Sequence, residues 1–219
     1  MLIKKQTTAF HEIKNYLQTG DIILMHGLHL SSRFIESLEG SPWSHVAMIV
    51  LAQDIGIDAG KDTILLWESD TESPVQDVIL NKAKSGPMLV KLSERLKYNF
   101  THKEDNQLSI RHLYTERTQK MFDGFKKIIP EVHQATFPDV YHEMINPTKG
   151  RIFHEKTSLD TFFCSELAAY TYKNMGLLTS IHPVNSYIPM DFSDKLSVGL
   201  LNRAWLGNEI NIEINLNKL

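Results

Sequence analysis

The most reactive side chain in this sequence is its single cysteine, Cys164. A thiol becomes a nucleophile when its surroundings favour the thiolate, and the two commonest means are a helix N-terminus and a neighbouring imidazole. Apolar residues around it recur at helical spacing: Leu159, Phe163, Leu167 and Tyr170. They predict a helix that ends at Gly176 and has Cys164 in its first turns, where exposed backbone amides favour a thiolate. Taken alone, an unpaired cysteine beside aromatic residues is more often a buried packing residue, so a second observation is needed.

Two apolar runs rich in β-branched residues, 44–51 and 63–68, provide that observation. The first run is apolar on both faces, which is typical of a central strand. The segment 54–60 between the two runs is rich in turn-forming residues and indicates an antiparallel hairpin. We place the centre of its turn between Gly56 and Ile57.

In that register His45 lies opposite Glu68, and both side chains leave the same face of the sheet with Cβ atoms about 4.5–5.5 Å apart. A carboxylate beside an imidazole fixes its tautomer and stabilises the imidazolium, as the third member of a hydrolytic triad does. A β-bulge would turn Glu68 to the other face. The alternative for His45 is a histidine that is hydrogen-bonded inside the core.

Four residues near these positions are candidates for substrate contact: Trp43, Ser44, Trp67 and Tyr187. Trp43 and Trp67 flank the histidine and the glutamate, so they predict a partly aromatic pocket. Ser44 has no Gly-x-Ser-x-Gly elbow that would present it as a nucleophile. For the aromatic residues, the alternative is a place in the core or at its rim.

The histidines and the cysteine form no pattern typical of a metal site. Ten histidines are scattered along the chain, without a His-x-x-x-His spacing or a cysteine pair. We therefore predict no metal and no other cofactor. One cysteine also excludes an internal disulfide.

The composition is that of one globular domain of 219 residues, 42% of them hydrophobic. The 23 basic and 26 acidic residues give a net charge of −3, which argues against a nucleic-acid partner. The longest apolar run, Val46 to Ala52, is far shorter than the roughly 20 residues of a membrane-spanning helix. The N-terminus shows no secretory signal, so we expect a cytoplasmic protein, with peripheral membrane association left open.

The same rules predict the remaining elements. We expect short helices within residues 6–18 and at 31–39, and strands at 22–25, 87–91 and 209–216. Residues 93–157 are polar, and we predict that they form an insertion or lid on the single domain. That segment contains one amphipathic helix, which we expect to stop at Pro130.

Four short motifs occur in order along the chain: Gly20-Asp21-Ile22-Ile23, Ser44-His45-Val46-Ala47, Trp67-Glu68 and Phe163-Cys164-Ser165-Glu166-Leu167. Together they resemble the circularly permuted papain-like amidases, the NlpC-type branch in which histidine precedes cysteine. The resemblance extends over residues 18–192. The same motifs also resemble the lecithin retinol acyltransferase group, which uses the same chemistry on acyl esters.

The resemblance implies an α+β papain-like fold of permuted topology, in which an antiparallel sheet packs on the nucleophile helix. It implies Cys164 as nucleophile, His45 as general base and acid, and Glu68 as the orienting residue. We expect a cysteine hydrolase that cleaves an amide bond in a small peptide or an N-acyl amino acid. The alternatives are an acyl-lipid esterase or acyltransferase with the same Cys–His pair, and a binding protein without turnover on the same fold.

Overall fold

The structure is a computed structural model that describes residues 7–27, 42–60, 63–71, 74–102, 105–136, 162–196 and 198–219. The strands are β1 Thr7–Ala9, β2 Ile22–Gly27, β3 His45–Leu51, β4 Ile64–Asp70, β5 Gly86–Lys91, β6 Asp105–Arg111, β7 Leu113–Tyr114, β8 Trp205–Leu206 and β9 Ile210–Glu213. The α-helices are α1 Phe10–Ile13, α2 Ala52–Ile55, α3 Leu92–His102, α4 Gln119–Val132 and α5 Cys164–Asn174. The predicted helix at 31–39 lies outside the described residues.

Seven strands form the central sheet in the order β1-β9-β6-β2-β3-β4-β5. The pairs from β9 to β5 are antiparallel, and β1 joins the edge in parallel with β9. A separate ribbon pairs β7 with β8. The predicted α+β class with a mostly antiparallel sheet is confirmed.

Both faces of the sheet are covered, which explains why residues 46–51 are apolar throughout. Side chains alternate along a strand, so Val46 and Met48 of β3 face a core shared with α4 and α5. Ala47 and Ile49 face the opposite core, which α1 and α3 complete. No helix in the described part of the chain is long and apolar enough to cross a bilayer.

The prediction that residues 93–157 form an insertion is wrong for those of them that the structure describes. Strand β6 lies inside the sheet between β9 and β2, and its register with β2 runs from Ile22–Arg111 to Met25–Leu108 and beyond. Helix α3 packs Leu96 into one core and α4 packs Phe125 into the other. Residues 93–102 and 105–136 are therefore integral to the fold, and 137–157 lie outside the described residues.

The predicted stop at Pro130 is also wrong, because α4 continues to Val132. Proline removes one backbone donor and crowds the preceding turn. The buried side chains of Ile128, Ile129 and Val132 pack in the core on either side of it and offset that cost. The C-terminal strand was expected at 209–216 and is shorter, since β9 ends at Glu213.

Candidate active site

Helix α5 begins at Cys164, and the residues around its start fix where the thiol lies. Phe163 is extended at the cap, with φ −77° and ψ 161°, and its amide donates to the Glu166 carboxylate at 3.4 Å. The Ser165 hydroxyl donates to the carbonyl of Tyr187 at 2.8 Å. The amides of Cys164 and Ser165 lie in the first turn, where N–H groups have no acceptor within a helix.

Strand β4 is tied to the chain just before this helix. The Ser69 hydroxyl donates to the carbonyl of Phe162 at 2.6 Å, and both residues are buried. On the same face of β4, the Trp67 indole donates to the Thr171 hydroxyl of α5 at 3.0 Å. These two bonds hold Cys164 at a set position relative to the sheet.

The predicted register of the β3–β4 hairpin is wrong by two residues. It placed Met48 opposite Leu65, whereas Met48 pairs with Trp67. The connection begins with helix α2 instead of a symmetric loop, and this moves the centre of the turn by one residue. A shift of two residues leaves each side chain on its predicted face. Glu68 therefore still lies on the face of His45.

The predicted contact between His45 and Glu68 exists, although the predicted register is wrong. His45 Nε2 lies 2.9 Å from Glu68 Oε2. The His45 ring also interacts electrostatically with the side chain of Cys164. Since Glu68 occupies Nε2, Nδ1 is the nitrogen left for the thiol. The structure thus brings together the three residues that the sequence singled out; their catalytic roles stay a prediction.

The imidazole is the most exposed member of this group, and the carboxylate is the most buried. Cys164 is 8% exposed and the His45 side chain 15%, but the Glu68 side chain is fully buried. Burial by itself lowers the pKa of His45. The charge and hydrogen bond of Cys164, the hydrogen bond to Glu68 and the charge of Asp70 outweigh burial and raise this pKa well above its usual value. The arrangement favours an imidazolium beside the sulfur.

Two further charged residues complete the group, and the sequence reasoning missed both. Arg95 Nε lies 3.1 Å from Glu68 Oε1, and its Nη2 donates to Asp70 Oδ2. Burial raises the pKa of Asp70, but the Arg95 and His45 charges outweigh burial and lower it. The sequence does indicate that Arg95 is buried, because Arg95 and Asn99 alternate with Leu92 and Leu96 on the buried face of α3.

Most of the predicted substrate contacts are core residues. Trp43 is 3% exposed, and its indole donates to Glu209 Oε1 at 3.0 Å. Trp67 is 1% exposed and lies against Phe125, with ring centroids 5.9 Å apart. Both tryptophans therefore lie in the core, and substrate contact by either of them stays a prediction. Ser44 is also buried, next to His45, and its role stays a prediction.

Tyr187 differs from the tryptophans because it is half-buried beside a cleft of about 420 Å³. Its carbonyl accepts the Ser165 hydroxyl, so it connects the cleft to the first turn of α5. Burial and the charge of Asp191 raise the pKa of the Tyr187 phenol. Other residues that line the cleft are Leu178, Ile181, His182, Asp191 and Val198.

Within the ranges given above, no three side chains of His, Cys, Asp or Glu come together in a way that could hold a metal ion. One of the ten histidines, His26, has its Nδ1 2.6 Å from the carbonyl oxygen of Pro42.

Comparisons with known proteins give little further information. No family model matches the sequence, and no curated protein matches it. Among solved structures, the chain is similar to the metalloprotein YiiX, DUF1105, from Escherichia coli O157:H7, with a TM-score of 0.47 and 15% identity. The match covers 73% of this chain and 66% of YiiX, just under two thirds of its length. At this similarity it identifies neither a family nor an activity.

Proposed function

We propose that this protein is a thiol hydrolase, papain-like with permuted chain order, that cleaves an amide bond in a small peptide or an N-acyl amino acid. The observation that carries the proposal is the position of His45, whose ring interacts with the Cys164 side chain and whose Nε2 lies 2.9 Å from Glu68 Oε2. A cysteine at a helix start, an imidazole and an orienting carboxylate are the parts that a covalent acyl-transfer site needs. The order of the four sequence motifs supports the same proposal.

In the first half of the reaction the Cys164 sulfur attacks the substrate carbonyl carbon, and the C=O electrons move to oxygen. The His45 imidazolium gives its proton to the leaving nitrogen as the C–N bond breaks, which leaves a thioester on Cys164. In the second half neutral His45 takes a proton from water, and the resulting hydroxide attacks the thioester. The C–S bond breaks, and the thiolate and imidazolium return.

The oxyanion of each tetrahedral intermediate would lie at the start of α5. The first-turn amides of Cys164 and Ser165 are donors there, and the helix dipole adds a positive potential. The hydroxyl of Ser165 donates to the Tyr187 carbonyl, so the backbone of this turn is held in place. Such preorganised donors stabilise the intermediate without reorganisation.

A second candidate is hydrolysis or transfer of an acyl-lipid ester. It is favoured by the apolar side of the cleft beside Tyr187, where Leu178, Ile181 and Val198 line the wall. Ile181 is 78% exposed, and an acyl chain would remove this apolar surface from water. The chemistry at Cys164 would be the same, with an alcohol as the leaving group.

The experiment that tests the proposal is capture of the acyl-enzyme. The protein is mixed with p-nitrophenyl esters of an N-acyl amino acid and of a fatty acid, and intact mass and p-nitrophenol release are followed. We expect a burst of about one equivalent and an adduct on Cys164, both absent in Cys164→Ala. Preference between the two esters decides between the candidates. No Cys164-dependent adduct with either ester would support the binding protein instead.

A further inference from the structure

Glu68 is a fully buried carboxylate, so a charge on it needs stabilising partners within the protein. A carboxylate removed from water takes up a proton unless a cation or hydrogen-bond donors stabilise its charge. The two oxygens of Glu68 have different cationic neighbours: Oε2 faces His45 and Oε1 faces Arg95. The charge of His45 changes during the proposed reaction, whereas a guanidinium stays protonated. Arg95 is therefore the constant partner.

The charge of Glu68 decides which nitrogen of His45 can do chemistry. An ionised Glu68 can only accept, so it holds the ring proton at Nε2 and leaves Nδ1 on the side of Cys164. A protonated Glu68 would donate to Nε2. Neutral His45 would then carry its proton on Nδ1 and could not take one from the thiol. The cation behind Glu68 thus controls a proton on the far side of the ring.

We propose that Arg95 is a positioning residue of this site: its permanent charge keeps Glu68 ionised and directed at His45, and Asp70 holds the guanidinium in place. The inference rests on the proposed function, since it assigns a role within the same Cys–His chemistry. The groups form a series from Cys164 on α5, through His45 on β3 and Glu68 on β4, to Arg95 on α3 and Asp70 on β4, and Glu68 and Asp70 flank the arginine with opposite charge.

The geometry suits arginine better than a single positive charge. Arg95 uses two separate nitrogens, Nε toward Glu68 and Nη2 toward Asp70. Lysine has a single ammonium and cannot make the same forked contact. The side chain is 5% exposed, and Leu92 and Leu96 anchor the same stripe of α3 in the core. We therefore expect Arg95→Lys to restore the charge but only part of the orientation.

The test measures the rate of iodoacetamide labelling of Cys164 against pH, together with ¹⁵N spectra of labelled histidine, in which the His45 signal is assigned by its loss in His45→Ala. We expect Arg95→Met to lower the labelling rate at pH 7 about tenfold and to convert His45 from imidazolium to neutral imidazole. Arg95→Lys should recover part of both. Asn99→Leu changes a buried polar residue one turn along α3 and should leave both unchanged.

The double variant Glu68→Gln/Arg95→Met keeps the test decisive if Arg95→Met does not fold, because it leaves no buried carboxylate without its cation. If Arg95 acts through Glu68, the double variant labels at the rate of Glu68→Gln alone. A further tenfold loss in the double variant, or an unchanged rate and His45 signal in folded Arg95→Met, would overturn the inference. Slow wild-type labelling that does not depend on His45 would instead contradict the proposed function.

Discussion

Gly124 lies where helix α4 approaches the backbone of the helix that carries Cys164. A Cβ atom at this position would lie 2.1 Å from the carbonyl oxygen of Asn174 and 2.9 Å from its carbonyl carbon. Both atoms are backbone, so no rotamer change can relieve the contact. Helix propensity alone predicts that Gly124→Ala stabilises the protein by about 1 kcal/mol. The structure predicts the opposite result.

The magnitude follows from comparing the two effects. Overpacking typically costs about 1–3 kcal/mol, and a 2.1 Å contact with backbone places Gly124→Ala at the upper end. Subtracting the propensity gain leaves a net loss of about 2 kcal/mol. For a chain of this size that corresponds to a fall in Tm of about 4–8 °C.

Urea denaturation and thermal unfolding of Gly124→Ala measure this loss directly. The matched control is Lys127→Ala, an exposed position of the same helix, which should change stability by less than about 0.5 kcal/mol. A Gly124→Ala variant as stable as the wild type, or more stable, would refute the close packing of α4 on α5.

Two other substitutions test the buried carboxylates. Glu68→Gln removes a charge-assisted contact with His45, so labelling of Cys164 by iodoacetamide at pH 7 should slow at least about tenfold; an equal rate would contradict the assigned contact. Burial raises the pKa of Asp77, but hydrogen bonds from His133 and from backbone amides outweigh burial and lower it. Asp77→Asn should therefore cost about 2 kcal/mol at pH 7. The lowered pKa of Asp77 stabilises the wild type at pH values above the unfolded-state pKa of about 4, and this stabilisation is lost as pH falls through the folded-state pKa. The difference in unfolding free energy between wild type and Asp77→Asn should therefore be smaller at pH 3 than at pH 7. An equal difference at both pH values would contradict this reasoning.

The strands that the sequence predicted well are those whose environment is uniform. Residues of β2, β3, β4 and β5 are mostly apolar because helices cover both faces of the sheet there. Strand β6 was not predicted from the sequence because only one of its faces, which carries Leu108 and Ile110, is apolar. On its other face Ser109 donates to Asn211, and Arg111 donates to four backbone carbonyls of the C-terminal segment. These distant partners make a polar segment part of the interior.

The candidate site shows the same division between local and distant information. The His45–Glu68 contact was predictable because strand alternation fixes the face even when the register is wrong by two residues. Arg95 was not predicted, since a charged residue on a helix is usually solvated and its partners come from another element. Trp43 and Trp67 were assigned to a pocket, but their indole groups have buried acceptors in Glu209 and Thr171.

The central claim is that His45 activates Cys164, and the rate of iodoacetamide labelling against pH tests it most directly. Wild type and His45→Ala are compared, with glutathione as the reference thiol, and the labelled residue is confirmed by mass spectrometry. We predict that wild-type Cys164 reacts faster than glutathione near neutral pH and that His45→Ala slows the reaction sharply. Slow labelling that is the same in both proteins would contradict the claim and would identify Cys164 as a packing residue of an inert fold.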